Sequence, residues 1–387
     1  MDFEESPEHR ALRAAVAELG AKYGHDYASA KAKAKEPMSE LWDEAGSLGY
    51  LGVNLPEEYG GGGAGMYELS LVLEELSAVG CGLLMMVVSP AIAGTILTRF
   101  GTERQQQAWL PGLADGTKKI AFGITEPDAG SNSHELTTTA RRDGDDYVLN
   151  GRKTFISGVS EADAVLVVGR LESAKTGKLQ PALFLVPTDT PGFEYQPIEM
   201  DLVMPEHQYQ VFLDDVRVPA AALVGESEEE TALWQLFAGL NPERIMGAAM
   251  ALGNARYALD KAVAYAKERK VWGAPIGAHQ GLSHPLAQIK VEYECARLMY
   301  LKAATIYDSG DDEAAGEGAN MAKYACAEVA AKAADQAVQT HGGNGLASEY
   351  GLGNLLAITR VARIAPVSRE MVLNYVAQNS LGLPKSY

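Results

Sequence analysis

Residues 240–280, LNPERIMGAAMALGNARYALDKAVAYAKERKVWGAPIGAHQ, decide the fold. Asn241 and Pro242 have the form of a helix start, with Asn as the cap and Pro at the first helical position, which puts Glu243 and Arg244 in the first turn. Ile245, Ala248, Ala249, Leu252, Ala255, Leu259, Val263 and Ala266 then recur at helical spacing. Gly247, Ala248, Ala251 and Gly253 spread small residues over several faces, so this helix is expected to touch neighbours on more than one side. It ends in Lys267, Arg269 and Lys270, and Trp272, Gly273, Pro275, Gly277 and Gln280 follow in a turn-rich loop.

Outward from that helix, the texture changes twice. Residues 1–118 read as helical, because ALRAAVAELGAKY and MYELSLVLEELSAVG carry apolar residues at helical spacing. From Lys119 the chain breaks into short β-type runs: KIAFGIT, ELTTTARR, YVLNGRKTFI, AVLVVGRL, PALFLVP and YQVFLDDVRVP. Asp143-Gly144 and Asn150-Gly151 are expected to be tight turns. Closely spaced strands without helices between them predict a compact antiparallel domain over residues 119–230. Helical texture returns over residues 231–387, where HPLAQIKVEYECARLMYLKAATIY and EGANMAKYACAEVAAKAADQAVQ are long and periodic and a four-helix bundle is expected. The expected fold is mostly α with a central β domain, in three domains: 1–118, 119–230 and 231–387.

Composition narrows the function. A net charge of −18 argues against nucleic-acid or anionic-membrane partners, which call for surplus Lys and Arg. A nucleotide-type cofactor needs only a few local basic residues and stays open. Cys81, Cys295 and Cys326 are far apart and form no disulfide framework or metal spacing, which points to a reducing compartment. His279 and His284 lack a Cys or carboxylate cluster, so no metal is expected. The segment MDFEESPEHR is acidic and polar, unlike a signal or transit peptide. The most apolar window, residues 81–97, is interrupted by Ser89, Pro90 and Gly94 and falls short of the roughly 20 residues of a membrane span. A soluble cytoplasmic protein is expected. PEEYGGGGAG contains a formal GxGxxG at Gly60, Gly62 and Gly65, but no buried strand runs into it, and it is read as a flexible connection. There is no GxSxG elbow and no P-loop.

YAKERKVWGAPIGAHQ, together with FGITEPDAGS at 122–131, FIS at 155–157 and QTHGGNG at 339–345, resembles the acyl-CoA dehydrogenase family, in the right order and over nearly the whole chain. The resemblance implies an α-helical domain, a β-barrel or sandwich domain and a C-terminal four-helix bundle, with FAD as cofactor. FGITEPDAGS is similar to the family's TEPxAGS signature, a strand running into a turn whose backbone groups and Thr125 and Ser131 hydroxyls suit a polar, planar ring. By resemblance Phe122, Ile124, Thr125, Gly130 and Ser131 contact FAD, and Ser131 also the thioester ligand. Phe155, Ile156 and Ser157 match the family's Trp-Ile-Thr, whose ring and hydroxyl flank the flavin; Phe keeps the stacking face and loses the indole N–H. Arg269 and Gln280 match the family's Arg and Gln spacing, and a guanidinium fork suits a pyrophosphate. Trp272 stands where the family usually has Phe. In the family that Arg reaches FAD held mainly by a neighbouring subunit. Gln339, Gly342 and Gly343, at a glycine-rich helix end, approach the same FAD. This implies a homo-oligomer, and by resemblance a homotetramer.

Removing an α-proton from an acyl thioester needs a positioned carboxylate. Most family members carry it in a Tyr-Glu-Gly-Thr loop before the last helix. Here residues 364–369 read IAPVSR, the loop is shorter, and Glu370 matches a later, non-catalytic Glu. Isovaleryl- and long-chain-type members instead place the Glu just before an Arg at the start of the mid-chain helix, where Glu243 stands. Glu243 is therefore the expected base: the positive helix end favours its carboxylate, while burial against flavin and acyl chain raises its pKa. Asn241 and Arg244 match positions that line the acyl-CoA channel. The usual backbone donor for the thioester oxygen is missing too, and an N–H near Val367 or Ser368 is expected to replace it, since Pro366 has none.

The expected activity is FAD-dependent α,β-dehydrogenation of an acyl-CoA to the 2-enoyl-CoA, with an electron-transferring flavoprotein as acceptor. Two alternatives stay open on sequence: a related flavin oxidase or carrier-protein-thioester dehydrogenase, and a non-catalytic FAD-binding relative.

Overall fold

The computed structural model describes residues 4–172, 177–228 and 232–386. The chain begins with helices α1 (Pro7–Ala34), α2 (Ser39–Ser47), α3 (Met66–Ala78), α4 (Thr95–Phe100) and α5 (Glu103–Asp115). α1 starts at a Ser-Pro pair: the Ser6 hydroxyl accepts from the His9 N–H at 3.1 Å and Pro7 fills the first turn. The glycine-rich stretch is a helix-capping loop. Gly65 caps α3 and donates its N–H to Glu68 at 2.9 Å, while Asp308 accepts from Met66 at 2.8 Å and Tyr67 at 2.9 Å. A buried π-helical turn, Val87–Gly94, leads into α4 with Pro90 inside it.

Strands β1 (Ile120–Gly123), β2 (Thr139–Asp143), β3 (Asp146–Ser157), β4 (Ala164–Glu172), β5 (Leu179–Pro187), β6 (Phe193–Pro197) and β7 (Gln208–Pro219) form one seven-stranded sheet. The pairs β2–β3, β3–β7, β4–β5 and β6–β7 are antiparallel, as the texture predicts. The wholly antiparallel expectation fails at β1 and β2, which both pair parallel with β4. β5 covers the other edge of β4 along its length, so β1 and β2 follow one another along a single edge. Residues 124–138 are thrown out of line between them. The expected turn at Asn150-Gly151 is also corrected. These residues lie inside β3 at a register shift, where Asn150 exchanges two 3.0 Å bonds with Asp215. A Cβ on Gly151 would sit 2.3 Å from the Thr138 hydroxyl, so a glycine allows a bulge and a close approach there.

The rest is helical: α6 (Ala232–Glu268), a small hairpin of β8 (Lys270–Val271) and β9 (Ala274–Pro275), then α7 (Gln280–Asp308), α8 (Asp312–His341), α9 (Leu352–Val361) and α10 (Arg369–Tyr375). α6 packs on α7, α8 and α3, which accounts for its small residues on several faces. It does not start at Asn241. Pro242 lies inside it and removes an N–H from the helical ladder, which frees the Ala238 carbonyl four residues back. The Tyr307 hydroxyl of α7 donates to that carbonyl at 3.4 Å. A tertiary partner thus carries the helix through a signal that reads locally as a beginning. The domain boundary expected at 230/231 lies outside the described residues.

Charge is buried where the two helical parts meet. Arg13 of α1 lies 2.7 Å from Glu74 and also pairs Glu75, both of α3; Arg256 of α6 pairs Glu75 from the other side. Tyr293 and Tyr300 of α7 donate to Glu74. Among the described residues no helix is long and apolar enough to cross a membrane.

Candidate active site

Residues 124–138 and the end of β3 form one wall. The Thr154 N–H donates to the Thr125 carbonyl at 2.9 Å. Beneath it is an ion pair that the sequence reading did not single out: Lys153 Nζ lies 2.8 Å from Glu126 Oε1 and donates to the Ile124 carbonyl at 3.1 Å. Glu126 also accepts from the N–H groups of Thr137 at 2.6 Å and Thr138 at 3.0 Å. Burial acts to raise the Glu126 pKa, but the bonds from Lys153, Thr138 and Thr137 outweigh it and hold the carboxyl at about 2. Burial, the largest influence on Lys153, pulls it down to about 8 against the attraction of Glu126. The Glu of one motif is thereby locked to the Lys of the other.

On this wall Phe155 has a φ of 57° and its ring is 57 % exposed. A bulky residue in left-handed backbone is strained, and it sits at the register shift between Lys153 and Ile156. Ser157 is half-buried and its hydroxyl accepts from the Gln208 amide at 2.9 Å. Ile124 and Thr125 are half-buried, Gly130 and Ser131 are exposed, and a Cβ on Gly130 would meet no atom within 4 Å. Phe122 and Ile156 are different: their side chains are 7 % and 1 % exposed and belong to the core, so only their backbone can serve the wall. Alternation along a strand explains Ile156 between its two outward neighbours.

A second group gathers at the far end of α6. Arg269 and Gln280 are exposed, and the Arg269 guanidinium has no ion pair among the described residues. Trp272 and Gly273 are the central residues of the β8–β9 turn, with φ of 52° and 83°. Two positive φ values in a two-residue hairpin are the conformation that favours Asn and Gly. Trp272 accepts the strain and holds its indole 90 % exposed. α8 runs alongside α6 in the same direction: Asn241 Nδ2 donates to the Asp312 carbonyl at 3.4 Å near one end, and Tyr265 stacks on His341 at 4.2 Å near the other. Gln339, Gly342 and Gly343 thus come to the same end as Arg269, and a Cβ on either glycine would meet no atom within 4 Å. At about 1.5 Å of rise per residue, this end lies roughly 38 Å along α6 from Glu243. Arg269, Trp272, Gln280, Gln339, Gly342 and Gly343 therefore gather at the end of α6 remote from Glu243.

Glu243 lies well inside α6, so the positive helix end expected beside it is absent. Its carboxyl keeps some contact with solvent but is enclosed on most sides; burial pushes its pKa up to about 7, with Arg244 and then Lys323 pulling the other way. Among the described residues no hydrogen bond or ion pair engages this carboxylate. Arg244 turns elsewhere. Its Nη1 donates to the Leu240 carbonyl and Asn241 Oδ1, both at 3.2 Å, and its Nε is buried without a partner among the described residues. Asn241 is a buried tie between α6 and α8 rather than a cap.

The IAPVSR segment closes over the same region. Pro366 Cδ lies 3.5 Å from where a Cβ on Gly247 would be, one helical turn from Glu243. Lys323 of α8 donates to the Val367 carbonyl. Ser368 caps α10 through its hydroxyl, which accepts from Met371 at 3.3 Å. The N–H groups of Val367 and Ser368 have no acceptor among the described residues. Glu370 is exposed and pairs only distantly with Arg369, at 3.7 Å. Sequence reasoning missed Lys323, although a lysine on the Ala319, Ala322, Cys326 stripe of α8 was a visible signal.

An enclosed, unpartnered carboxylate that titrates near neutrality can act as a base at neutral pH. The wall offers an outward aromatic ring, a hydroxyl and open ground over a glycine, which fits a flat heteroaromatic ring. Three family models match the chain: acyl-CoA dehydrogenase N-terminal domain over residues 6–117, middle domain over 121–216 and C-terminal domain over 235–381. The chain is 67% identical over 385 residues to the acyl-CoA dehydrogenase FadE12 of Mycobacterium tuberculosis (strain ATCC 25618 / H37Rv), covering 100% of this chain and 99% of that protein. A solved glutaryl-coenzyme A dehydrogenase in complex with glutaryl-CoA matches with a TM-score of 0.94 and 30% identity, over 100% of this chain and 98% of that one. The glutaryl-CoA dehydrogenase of Mycobacterium smegmatis in complex with FADH2 matches with a TM-score of 0.90 and 29% identity, over 99% and 96%. With these likenesses spanning all three parts of the fold, the chain belongs to the acyl-CoA dehydrogenase family of FAD-dependent oxidoreductases.

Proposed function

We propose that the protein dehydrogenates an acyl-CoA thioester to the 2-enoyl-CoA with Glu243 as the base. The observation that carries this reading is Glu243 itself, enclosed, without a partner and pushed up to about 7. Its carboxylate takes the α-proton and keeps it. FAD, when bound, accepts the hydride that leaves the β-carbon. Arg244, fixed by Leu240 and Asn241, favours the ionised form of the base and with Asn241 lines the acyl-CoA channel. The free N–H groups at Val367 and Ser368 meet the thioester oxygen as charge develops there.

Thr125, Ser131, Phe155 and Ser157, with the backbone of Phe122, Ile124, Gly130 and Ile156, hold the flavin, and Ser131 also touches the thioester. Arg269, Trp272, Gln280, Gln339, Gly342 and Gly343 serve the FAD of a second subunit, because roughly 38 Å separates them from Glu243. The exposed residues Val291, Cys295 and Leu298 recur at helical spacing on α7 and give a homo-oligomer, read here as a homotetramer, its contact face. The division at 118/119 and 230/231, an electron-transferring flavoprotein as acceptor, a role in fatty-acid metabolism and a cytoplasmic location complete the reading. Buried Cys81 and Cys326 as free thiols suit that compartment.

Anaerobic titration of the holoenzyme with a panel of acyl-CoAs tests the proposal. At least one should bleach the flavin, and admitted air should leave it largely reduced until electron-transferring flavoprotein is added. If none bleaches it with FAD fully bound, the dehydrogenase reading fails; rapid reoxidation by air points to an oxidase instead.

A further inference from the structure

We propose that Lys323 is a positioning residue for this dehydrogenation: it holds the 364–368 loop against α6 and presents a buried cation toward the Glu243 carboxylate. The inference rests on the reading of Glu243 as the base.

Lys323 is 2 % exposed and lies among the buried residues Ala319, Ala322 and Cys326 of α8. Burying an ammonium is costly unless it is paired. Among the described residues no carboxylate lies within ion-pair distance of it, and its hydrogen bond goes to the Val367 carbonyl. A lysine kept in an apolar stripe without a salt bridge is poorly explained by packing alone. A methionine would fill the same space at less cost.

Its one bond has a geometric consequence. The Val367 carbonyl and the Ser368 N–H belong to the same peptide unit, and a planar trans peptide points them in opposite directions. Fixing the oxygen from α8 therefore fixes the aim of the N–H, which has no acceptor among the described residues. The same loop rests Pro366 near Gly247, one turn along α6 from Glu243. Lys323 thus sets the short loop at the place where the family's longer loop is missing.

The electrostatics agree. The charged groups that face Lys323 are Arg244 and Glu243 of α6, Glu328 of α8 and Glu370 of α10; those that face Glu243 are Arg244 and Lys323. Burial, and then Arg244, pulls Lys323 down to about 8, while the carboxylates oppose this. Burial pushes Glu243 up to about 7 and pulls Lys323 down to about 8, so Lys323 is cationic on the acid side of the Glu243 titration and loses its charge on the alkaline side. Arg244 is the other cation in reach, but its Nη1 is bonded to Leu240 and Asn241.

Three variants of the holoenzyme separate the bond from the charge. Lys323→Gln keeps a donor and loses the charge, Lys323→Met loses both, and Lys323→Arg keeps both. The pH profile of anaerobic flavin reduction by an acyl-CoA reads the charge. Its acid limb should move up by about one pH unit in the Gln and Met variants, which is about fivefold slower reduction at pH 7, and return in the Arg variant. Hydrogen exchange of the Ile364 and Ala365 amides, which donate to the Val361 carbonyl, needs no turnover and reads the hold on the loop: exchange should be about tenfold faster in the Met variant only. An acid limb that stays in place in Lys323→Gln at wild-type FAD content overturns the proposal. So does failure of both Lys323→Gln and Lys323→Arg to fold with FAD, which would assign Lys323 to folding alone. A Glu243→Gln control run in parallel keeps the two readings apart: if that control still reduces flavin, the base assignment itself fails, whatever Lys323 does.

Discussion

Replacing Glu243 by Gln should stabilise the protein at pH 8 and do little at pH 5. Gln has nearly the same size and cannot ionise, so the substitution removes a titration and little else. The folded-state pKa of about 7 lies above the ordinary value of 4.5. A carboxyl raised in the folded state contributes stability that is fully present below 4.5 and is lost as pH rises through about 7. Integrated from pH 5 to pH 8, a shift of that size corresponds to about 2.5 kcal/mol, and the solvent contact that Glu243 keeps reduces this to about 1–2 kcal/mol. Unfolding entropies near 2.1 cal/mol/K per residue convert that into a gain of about 2 °C in Tm for a chain of this length. The assay is a thermal melt of both holoproteins, saturated with FAD, at pH 5, 6, 7 and 8. The gap between variant and wild type should open mainly between pH 5 and 7 and level off above 7. A gap of the same size at pH 5 and pH 8 refutes the claim that this carboxylate is held in a strained, near-neutral state. Enzymes often carry such local destabilisation where chemistry requires it.

Three other outcomes follow from the same structure. Arg13→Ala leaves the fully buried Glu74 with its tyrosine partners but without its cation, and denaturant unfolding should show a loss of about 3–5 kcal/mol; a loss below 1 kcal/mol would mean the helical parts are not joined through this network. Lys153→Met breaks the lock between the two wall motifs, so equilibrium dialysis should find FAD bound at least tenfold more weakly, and unchanged affinity would dissociate the ion pair from the cofactor site. Leu298→Asp puts a charge in the exposed α7 stripe and should shift sedimentation to smaller species; a species of wild-type size would place the subunit contact elsewhere.

Much of the fold was legible because periodicity is a local property. The small-residue helix running on from Asn241, the short strands and the glycines at the end of α8 all announce themselves within a few residues. What misled were features settled at a distance. Asn241-Pro242 reads as a helix start, and only the Tyr307 hydroxyl on another helix makes it an interior. Asn150-Gly151 reads as a turn, but Asp215 on β7 makes it a bulge. The parallel pairing of β1 and β2 with β4 depends on where residues 124–138 leave the sheet, which strand texture does not encode. At the site, motif residues such as Ser131, Phe155 and Arg269 were recognisable by resemblance. Lys153 and Glu126, the buried pair beneath the wall, look on sequence like ordinary surface residues, whereas Lys323 showed only as a lysine within an apolar stripe of α8. Glu243 was singled out for a partly mistaken reason: burial accounts for its pKa, and it lies inside its own helix rather than at the start of it.

The most direct test of Glu243 as the base is a stopped-flow experiment under anaerobic conditions. Wild type and Glu243→Gln, both loaded with FAD, are mixed with an acyl-CoA that bleaches the wild-type flavin. The variant should still show the rapid spectral perturbation of ligand binding, while flavin reduction slows by at least about a thousandfold, the scale expected when a positioned base is lost. Reduction within tenfold of the wild-type rate would contradict the account and send the search for the base to another carboxylate.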